Sequence, residues 1–215
     1  MILLILEIIG TISFAISGAV VAIKVKFDIF GVAFIGVITA MGGGIIRDIL
    51  IGRYPPAVFS NFYIFLIAVI STIITFIIIY KNKSHFNMFE GIMEYINNFF
   101  DAVGLAAFSV MGTEVAFVFA FSDNMFLAVT LGVLTGTGGG VLRDILTDTT
   151  PYIFKKHIYA IASILGSCLY YVLRMNFNNL AVISAVSMFL IVAIRMLATK
   201  YHWSLPKIEL EKNDV

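Results

Sequence analysis

The chain has 215 residues, of which 60% are hydrophobic and 13% charged, and its formal net charge is +1. Its mean hydropathy of +1.02 excludes an ordinary soluble domain and predicts an integral membrane protein. The basic residues sit at loop ends and form no stripe, so we expect no nucleic-acid partner.

Apolar stretches of about 20 residues, each long enough to cross a bilayer, follow one another along the chain. The predicted spans are 2–23, 30–51, 57–80, 99–121, 125–147, 152–174 and 179–198. The first span carries Glu7 and has no Lys or Arg before it, which is typical of a membrane helix and not of a cleaved signal peptide. The fold class is therefore an all-α membrane protein with seven transmembrane helices.

One string occurs twice in this chain, as MGGGIIRDIL at 41–50 and TGGGVLRDIL at 137–146, an offset of 96 positions. Pro55 and Pro151 share that offset. Upstream the offset is 94, so that Glu7 matches Asp101. The chain is therefore an internal duplication.

The duplication divides the chain into two three-helix repeats, at 1–80 and 99–174, with a seventh helix at 175–198. Residues 81–98 form a linker with a predicted short interfacial helix, and residues 199–215 form a polar tail. Because three spans is an odd number, the second repeat enters the membrane from the opposite face. Inverted repeats place matching segments, here the two copies of the glycine-containing string, near the bilayer midplane.

The distribution of basic residues predicts the orientation of the chain. On the N-terminal side of the membrane lie Arg47, Arg53 and Arg174. On the other side lie Lys24, Lys26, Lys81, Lys83, Arg143, Lys155, Lys156, Arg195, Lys200, Lys207 and Lys212. We therefore expect the N-terminus outside, and the linker, tail and C-terminus in the cytoplasm.

The glycine triplets, Gly42–Gly44 and Gly138–Gly140, are predicted weak points of the second and fifth spans. A glycine costs about 1 kcal/mol relative to alanine inside a helix. A loosened backbone would expose carbonyl oxygens, which suit a monovalent cation where they line water. We therefore predict transient K⁺ or Na⁺ binding at the carbonyls of Gly42, Gly43, Gly138 and Gly139. The alternative role is close helix packing, which the spacing of Gly132, Gly136 and Gly140 also fits.

The Arg-Asp pairs that follow the triplets, Arg47-Asp48 and Arg143-Asp144, are costly inside a membrane and point to a cavity or the bundle interior. Neighbours in sequence project about 100° apart on a helix. The arginine and the aspartate of each pair are therefore expected to be poor partners for each other. A crossed arrangement, in which the arginine of one repeat serves the aspartate of the other, is one hypothesis. The other is that these groups only cap helix ends.

Several further polar residues lie at similar depths in the spans. The candidates for the cation pathway are Ser13, Ser17, Thr39, Thr113, Glu114 and Thr135. Glu114 could attract a cation or be a satisfied structural carboxylate, and the two threonines before the triplets could bond to their own backbone. The three histidines show no metal spacing and no nucleophile motif occurs, so we expect neither an enzyme nor a bound cofactor.

The doubled string, Pro55-Pro56, Pro151 and the segment FDAVGLAAFSVMGTE at 100–114 resemble the prokaryotic trimeric intracellular cation channels, also described as a glycine-transporter-like domain family. The resemblance covers about residues 4–198. It implies a homotrimer in membrane lipid, with a pore inside each six-helix subunit and a peripheral seventh helix. It further implies that glycine-broken second and fifth helices line the pore and that K⁺ and, less selectively, Na⁺ permeate.

A passive cation channel is thus the favoured function, in a prokaryotic plasma membrane. The alternative is a secondary transporter of glycine or another small zwitterion, because inverted repeats also serve alternating access. A non-conducting structural protein is disfavoured by the paired charges and the glycines.

Overall fold

A computed structural model describes residues 1–82, 90–155 and 158–203. Regular secondary structure in these ranges is entirely α-helical. The helices are α1 (Ile2–Lys24), α2 (Ile29–Leu50), α3 (Ala57–Ser60), α4 (Phe62–Lys81), α5 (Glu90–Val118), α6 (Met125–Leu146), α7 (Tyr152–Lys155), α8 (Ile158–Asn176) and α9 (Leu180–Lys200). All but the short helices α3 and α7 are long and apolar enough to cross a membrane.

The two glycine-bearing helices, α2 and α6, begin with N-cap side chains at matching positions. The Asp28 side chain accepts a hydrogen bond from the Gly31 amide at the start of α2, over 2.8 Å. The Asn124 side chain does the same for Leu127 at the start of α6, over 2.9 Å. Each side chain satisfies one of the amides that a helix start leaves unpaired. Both helices are 22 residues long, as expected of repeated units.

The predicted span 57–80 is divided into the short helix α3 and the long helix α4, and the predicted span 152–174 is described as α7 and α8 on either side of residues 156–157. Pro56 precedes α3, which is separated from α4 at Asn61, and Pro151 precedes α7. Proline lacks an amide hydrogen and disfavours a helix in the residue before it, so the chain re-enters the membrane only after these prolines.

Part of the predicted linker belongs to the helix that follows it. The span helix α5 begins at Glu90, so residues 90–98 belong to it and not to a separate interfacial helix. The remainder of that prediction, at 83–89, lies outside the described residues, as does the tail from residue 204.

The two repeats cross at the centre of the bundle in two matched helix pairs. In one pair α1 packs on α5, where the ring of Phe108 lies over Gly10 and the ring of Phe14 lies over Gly104. In the other pair α2 packs on α6. The added helix α9 packs on α5 and α8, with Ile191 against Gly166. We call the membrane face where α1 begins the N-terminal side, and the face where α9 ends the C-terminal side.

Candidate functional site: a polar line through the bundle

The two glycine triplets lie where α2 and α6 cross. A methyl group added at Gly43 would overlap the Thr135 carbonyl, and one added at Gly139 would overlap the Thr39 carbonyl. A methyl group at Gly138 would lie 3.2 Å from the Cα atom of Gly43. The triplets therefore let two helix backbones touch, as small residues do between membrane helices.

Both helices are continuous through their triplets, so the predicted breaks are wrong. Three glycines cost a helix about 3 kcal/mol in propensity, and tertiary packing at the crossing overrides this cost. Close packing thus explains the glycines that we had assigned to a loosened backbone, which are Gly42, Gly43, Gly138 and Gly139. Cation binding at their carbonyls would require the helices to open, and it stays a prediction.

The third glycine of each triplet faces an arginine. A methyl group at Gly44 would lie 3.7 Å from Nη2 of Arg47, and one at Gly140 would lie 3.7 Å from Nη2 of Arg143. Since the repeats are inverted, the Arg47 layer lies toward the N-terminal side and the Arg143 layer toward the C-terminal side.

On the C-terminal side, Arg143 is the centre of a buried charge cluster. Its Nη1 donates to Asp101 Oδ1 over 2.7 Å and to Ser17 Oγ over 2.8 Å, and its Nε donates to Asp144 Oδ1 over 2.8 Å. The guanidinium also lies 5.1 Å from the ring centroid of Tyr152.

On the N-terminal side, the ion-pair partner of Arg47 among the described residues is its neighbour Asp48. Both Nε and Nη2 of Arg47 lie 2.8 Å from Asp48 Oδ1. The expectation that sequence neighbours make poor partners is therefore wrong at both places, because the flexible arginine stem brings its head group back to the adjacent carboxylate. The crossed pairing is also wrong, since Arg143 pairs with the two aspartates of its own repeat.

The aspartates of the two strings also position the re-entering chain. Asp48 Oδ2 accepts from the Ala57 amide over 2.7 Å, and Asp144 Oδ2 accepts from the Tyr152 amide over 2.9 Å. These amides start α3 and α7, where a carboxylate is favoured by the helix dipole. Helix capping is therefore a role of both aspartates.

Sequence reasoning missed two charged members of the C-terminal cluster. Asp101 enters the sequence analysis only through its alignment with Glu7, and Arg195 only through the charge count for orientation, yet both are buried. Arg195 Nη2 lies 3.9 Å from Asp101 Oδ2, and its guanidinium lies 4.6 Å from the ring centroid of Tyr159. The repeat alignment of Asp101 with Glu7 was the signal that could have found the first of them.

Three of the predicted pathway residues lie outside both arginine layers. Glu114 accepts a hydrogen bond from the Tyr170 hydroxyl over 2.9 Å and one from Arg174 Nε over 3.2 Å, which fits the structural role. Thr113 donates to a carbonyl of its own helix over 2.9 Å. Ser13 is buried in α1. Ser17, in contrast, belongs to the Arg143 cluster.

Thr39 and Thr135 contact the glycine crossing with their backbones. Their hydroxyls donate to the carbonyls of Ile35 and Leu131, each over 2.6 Å. Among the expected roles, bonding to the helix's own backbone is the one that both hydroxyls adopt.

A cavity of about 40 Å³ opens beside the Arg47 layer. Its polar lining includes Glu7, Thr11, Arg47 and Asp48. The volume suits a few water molecules. Polar groups thus line α1 on both sides of the centre, with Glu7 and Thr11 at the cavity and Ser17 at the Arg143 cluster.

Two aromatic rings separate the cavity from the Arg143 cluster along α1 and α5. The rings of Phe14 and Phe108 lie 5.4 Å apart between centroids, and Phe108 also lines the cavity. Since the two residues match in the repeats, they form an apolar centre between two polar ends.

Comparison with known proteins agrees with this architecture. A family model described as "Glycine transporter" matches residues 4–80 and 98–175. The inner membrane protein YadS of Escherichia coli is 34% identical over 209 residues, covering 97% of each chain.

Solved structures match nearly the whole chain. The crystal structure of a prokaryotic TRIC channel is 35% identical, with a TM-score of 0.85, and the match covers 95% of this chain and 99% of that one. A TRIC trimeric intracellular cation channel orthologue from Rhodobacter sphaeroides is 27% identical, with a TM-score of 0.82, and covers 94% of this chain and 99% of that one.

These matches confirm the predicted fold class and family resemblance, and the family is one of membrane channels and not of enzymes. The chain is therefore an integral membrane protein of the glycine transporter family, to which the prokaryotic TRIC channels belong.

Proposed function

We propose that the protein is a passive monovalent-cation channel that conducts K⁺ and also Na⁺ through a path inside each subunit. The path would run between α1, α2, α5 and α6. The observation that carries this proposal is the line of polar groups along α1, from Glu7 and Thr11 at the cavity to Ser17 at Asp101. Polar groups at these depths are costly unless they face the bundle interior or water.

The glycine-bearing helices α2 and α6 would form the wall of the path, and the rings of Phe14 and Phe108 its narrowest part. An apolar constriction of this kind closes a pore by excluding water, and small displacements of the rings would admit it. Because each ring packs on a glycine of the other repeat, movement of α1 against α5 would shift both rings together.

The assembly would be a homotrimer in lipid, in line with the description of the Rhodobacter sphaeroides protein as an orthologue of a trimeric channel. The membrane would be a bacterial inner membrane, in agreement with the description of YadS. The excess of basic residues on the C-terminal side favours a cytoplasmic C-terminus.

Recording in planar bilayers tests the channel function. The purified protein in a KCl gradient should give unitary currents that reverse near the K⁺ equilibrium potential. With K⁺ on one side and Na⁺ on the other, the reversal potential should shift less, because both cations permeate. Reversal at the Cl⁻ potential, or a bilayer without unitary events, would contradict the proposal.

Transport of glycine or another small zwitterion is the second candidate function. The name of the family model and the presence of both a carboxylate and a guanidinium in the cavity favour it. Against it, Arg47 is already bound to Asp48, and about 40 Å³ holds only a few water molecules. Saturable glycine uptake into vesicles, without unitary currents, would support the transporter.

A further inference from the structure

The two carboxylates that match in the repeats, Glu7 and Asp101, have different surroundings. Asp101 accepts hydrogen bonds from Arg143 and Ser17, and Arg195 lies 3.9 Å away. Arg47, the counterpart of Arg143, directs its contacts to Asp48. Within the described parts of the chain, the Glu7 carboxylate accepts no hydrogen bond and forms no ion pair within 4.0 Å.

Glu7 nevertheless lies in a charged environment. Arg47 and Arg53 attract it electrostatically and Asp48 repels it. Arg47 and Asp48 neutralise each other through their short contact, and Arg53 lies 5.8 Å from the ring centroid of Phe119. Glu7 therefore gives the cavity a carboxyl group that has no direct partner among the described residues.

Thr11 provides a second and independent indication that this cavity binds a ligand. It lies one turn after Glu7, is 1% exposed, and its hydroxyl has no hydrogen-bond partner. Other buried threonines of the spans donate to the carbonyl four residues earlier, as Thr39, Thr72 and Thr135 do. The Thr11 hydroxyl does not, although Thr11 is one of the residues that line the cavity.

We propose that Glu7 and Thr11 form a binding site for a partly hydrated monovalent cation. A carboxylate and a hydroxyl one helical turn apart offer oxygen ligands on one face of α1, which is the ligand type that alkali cations bind. The cavity has room for one ion with its remaining water. This inference rests on the proposed function, in which the site is the first on the path from the N-terminal side.

Unitary K⁺ currents test the site in four proteins: the wild type, Glu7→Gln, Thr11→Val and Asp123→Asn. Asp123 is exposed on the same side of the membrane, before α6, so it is the control for charge alone. At about 0.01 M KCl, Glu7→Gln should lower the inward current from that side about threefold or more. Thr11→Val should lower it too, Asp123→Asn should not, and the differences should shrink at about 1 M KCl.

Thermal unfolding in detergent tests binding without conduction. Replacing choline by K⁺ should raise the Tm of the wild type and of Asp123→Asn by about 2 °C or more, and should leave Glu7→Gln and Thr11→Val unchanged. Each variant is compared with itself, so its own stability does not enter. If Glu7→Gln does not assemble, Thr11→Val decides.

The outcomes separate the site from the function. Wild-type currents with both variants equal to Asp123→Asn would overturn the site and leave the channel. If only Glu7→Gln lowers the current, Glu7 acts through its charge at the pore entrance and not as a ligand together with Thr11. That result would also overturn the site. K⁺-dependent stabilisation that the two variants lose, in a protein without currents, would support the site and overturn the channel.

Discussion

At the scale of single residues, the two Arg-Asp strings are alike in sequence, but their arginines bond to different partners. Arg143 is fully buried and bonds to Asp101, Asp144 and Ser17, whereas Arg47 bonds to Asp48 beside a cavity. The string thus predicts buried charge, but the partner depends on residues far away in the chain. No local spacing could have given Arg195, which comes from the added helix.

This difference predicts unequal effects of the same substitution. Arg143→Met removes the hydrogen-bonded cation that two buried aspartates share and should destabilise the protein by about 3–5 kcal/mol, the usual cost of breaking a buried pair. Arg47→Met leaves Asp48 beside the cavity, where water can solvate it, so the loss should be smaller. Reversible unfolding in detergent measures both, and equal losses would contradict the assigned surroundings.

At the scale of the helices, the number, order and inversion of the spans could be predicted from hydrophobic length and from the duplicated string. The state of the glycine triplets could not. Helix propensity alone favours a break, but the backbones of α2 and α6 meet at Gly43 and Gly139, and that contact depends on the tertiary crossing. The division of the third span at Asn61 was not predicted.

The helix crossing predicts opposite effects for two neighbouring glycines. Gly43→Ala would place a methyl group against the Thr135 carbonyl, so it should lower the stability of the folded protein and disturb the crossing. Gly44→Ala meets only Arg47 Nη2 at 3.7 Å, and it should be neutral or stabilising by up to about 1 kcal/mol through helix propensity. Thermal unfolding of the two variants side by side is the measurement. Similar behaviour would mean that the backbones do not touch.

At the scale of the whole molecule, the inverted repeats bring matched groups to a common centre and leave unmatched groups at its two ends. Phe14 and Phe108 meet in the middle, while Glu7 and Asp101 lie on opposite sides of it. The added helix α9 contributes Arg195 to one end only, which makes the two ends chemically different. A path through this centre would therefore have a hydrated carboxylate at one end and a charge-neutralised cluster at the other.

The central claim, that cations pass through the cavity inside each subunit, is tested most directly by modifying one residue of its lining. Val58 in α3 lines the cavity, and the native Cys168 in α8 is replaced by serine in the background. A cationic methanethiosulfonate reagent added to Val58→Cys channels should reduce the unitary current in discrete steps, one for each subunit of the proposed trimer. An unchanged current, with complete modification shown by mass spectrometry, would contradict the claim.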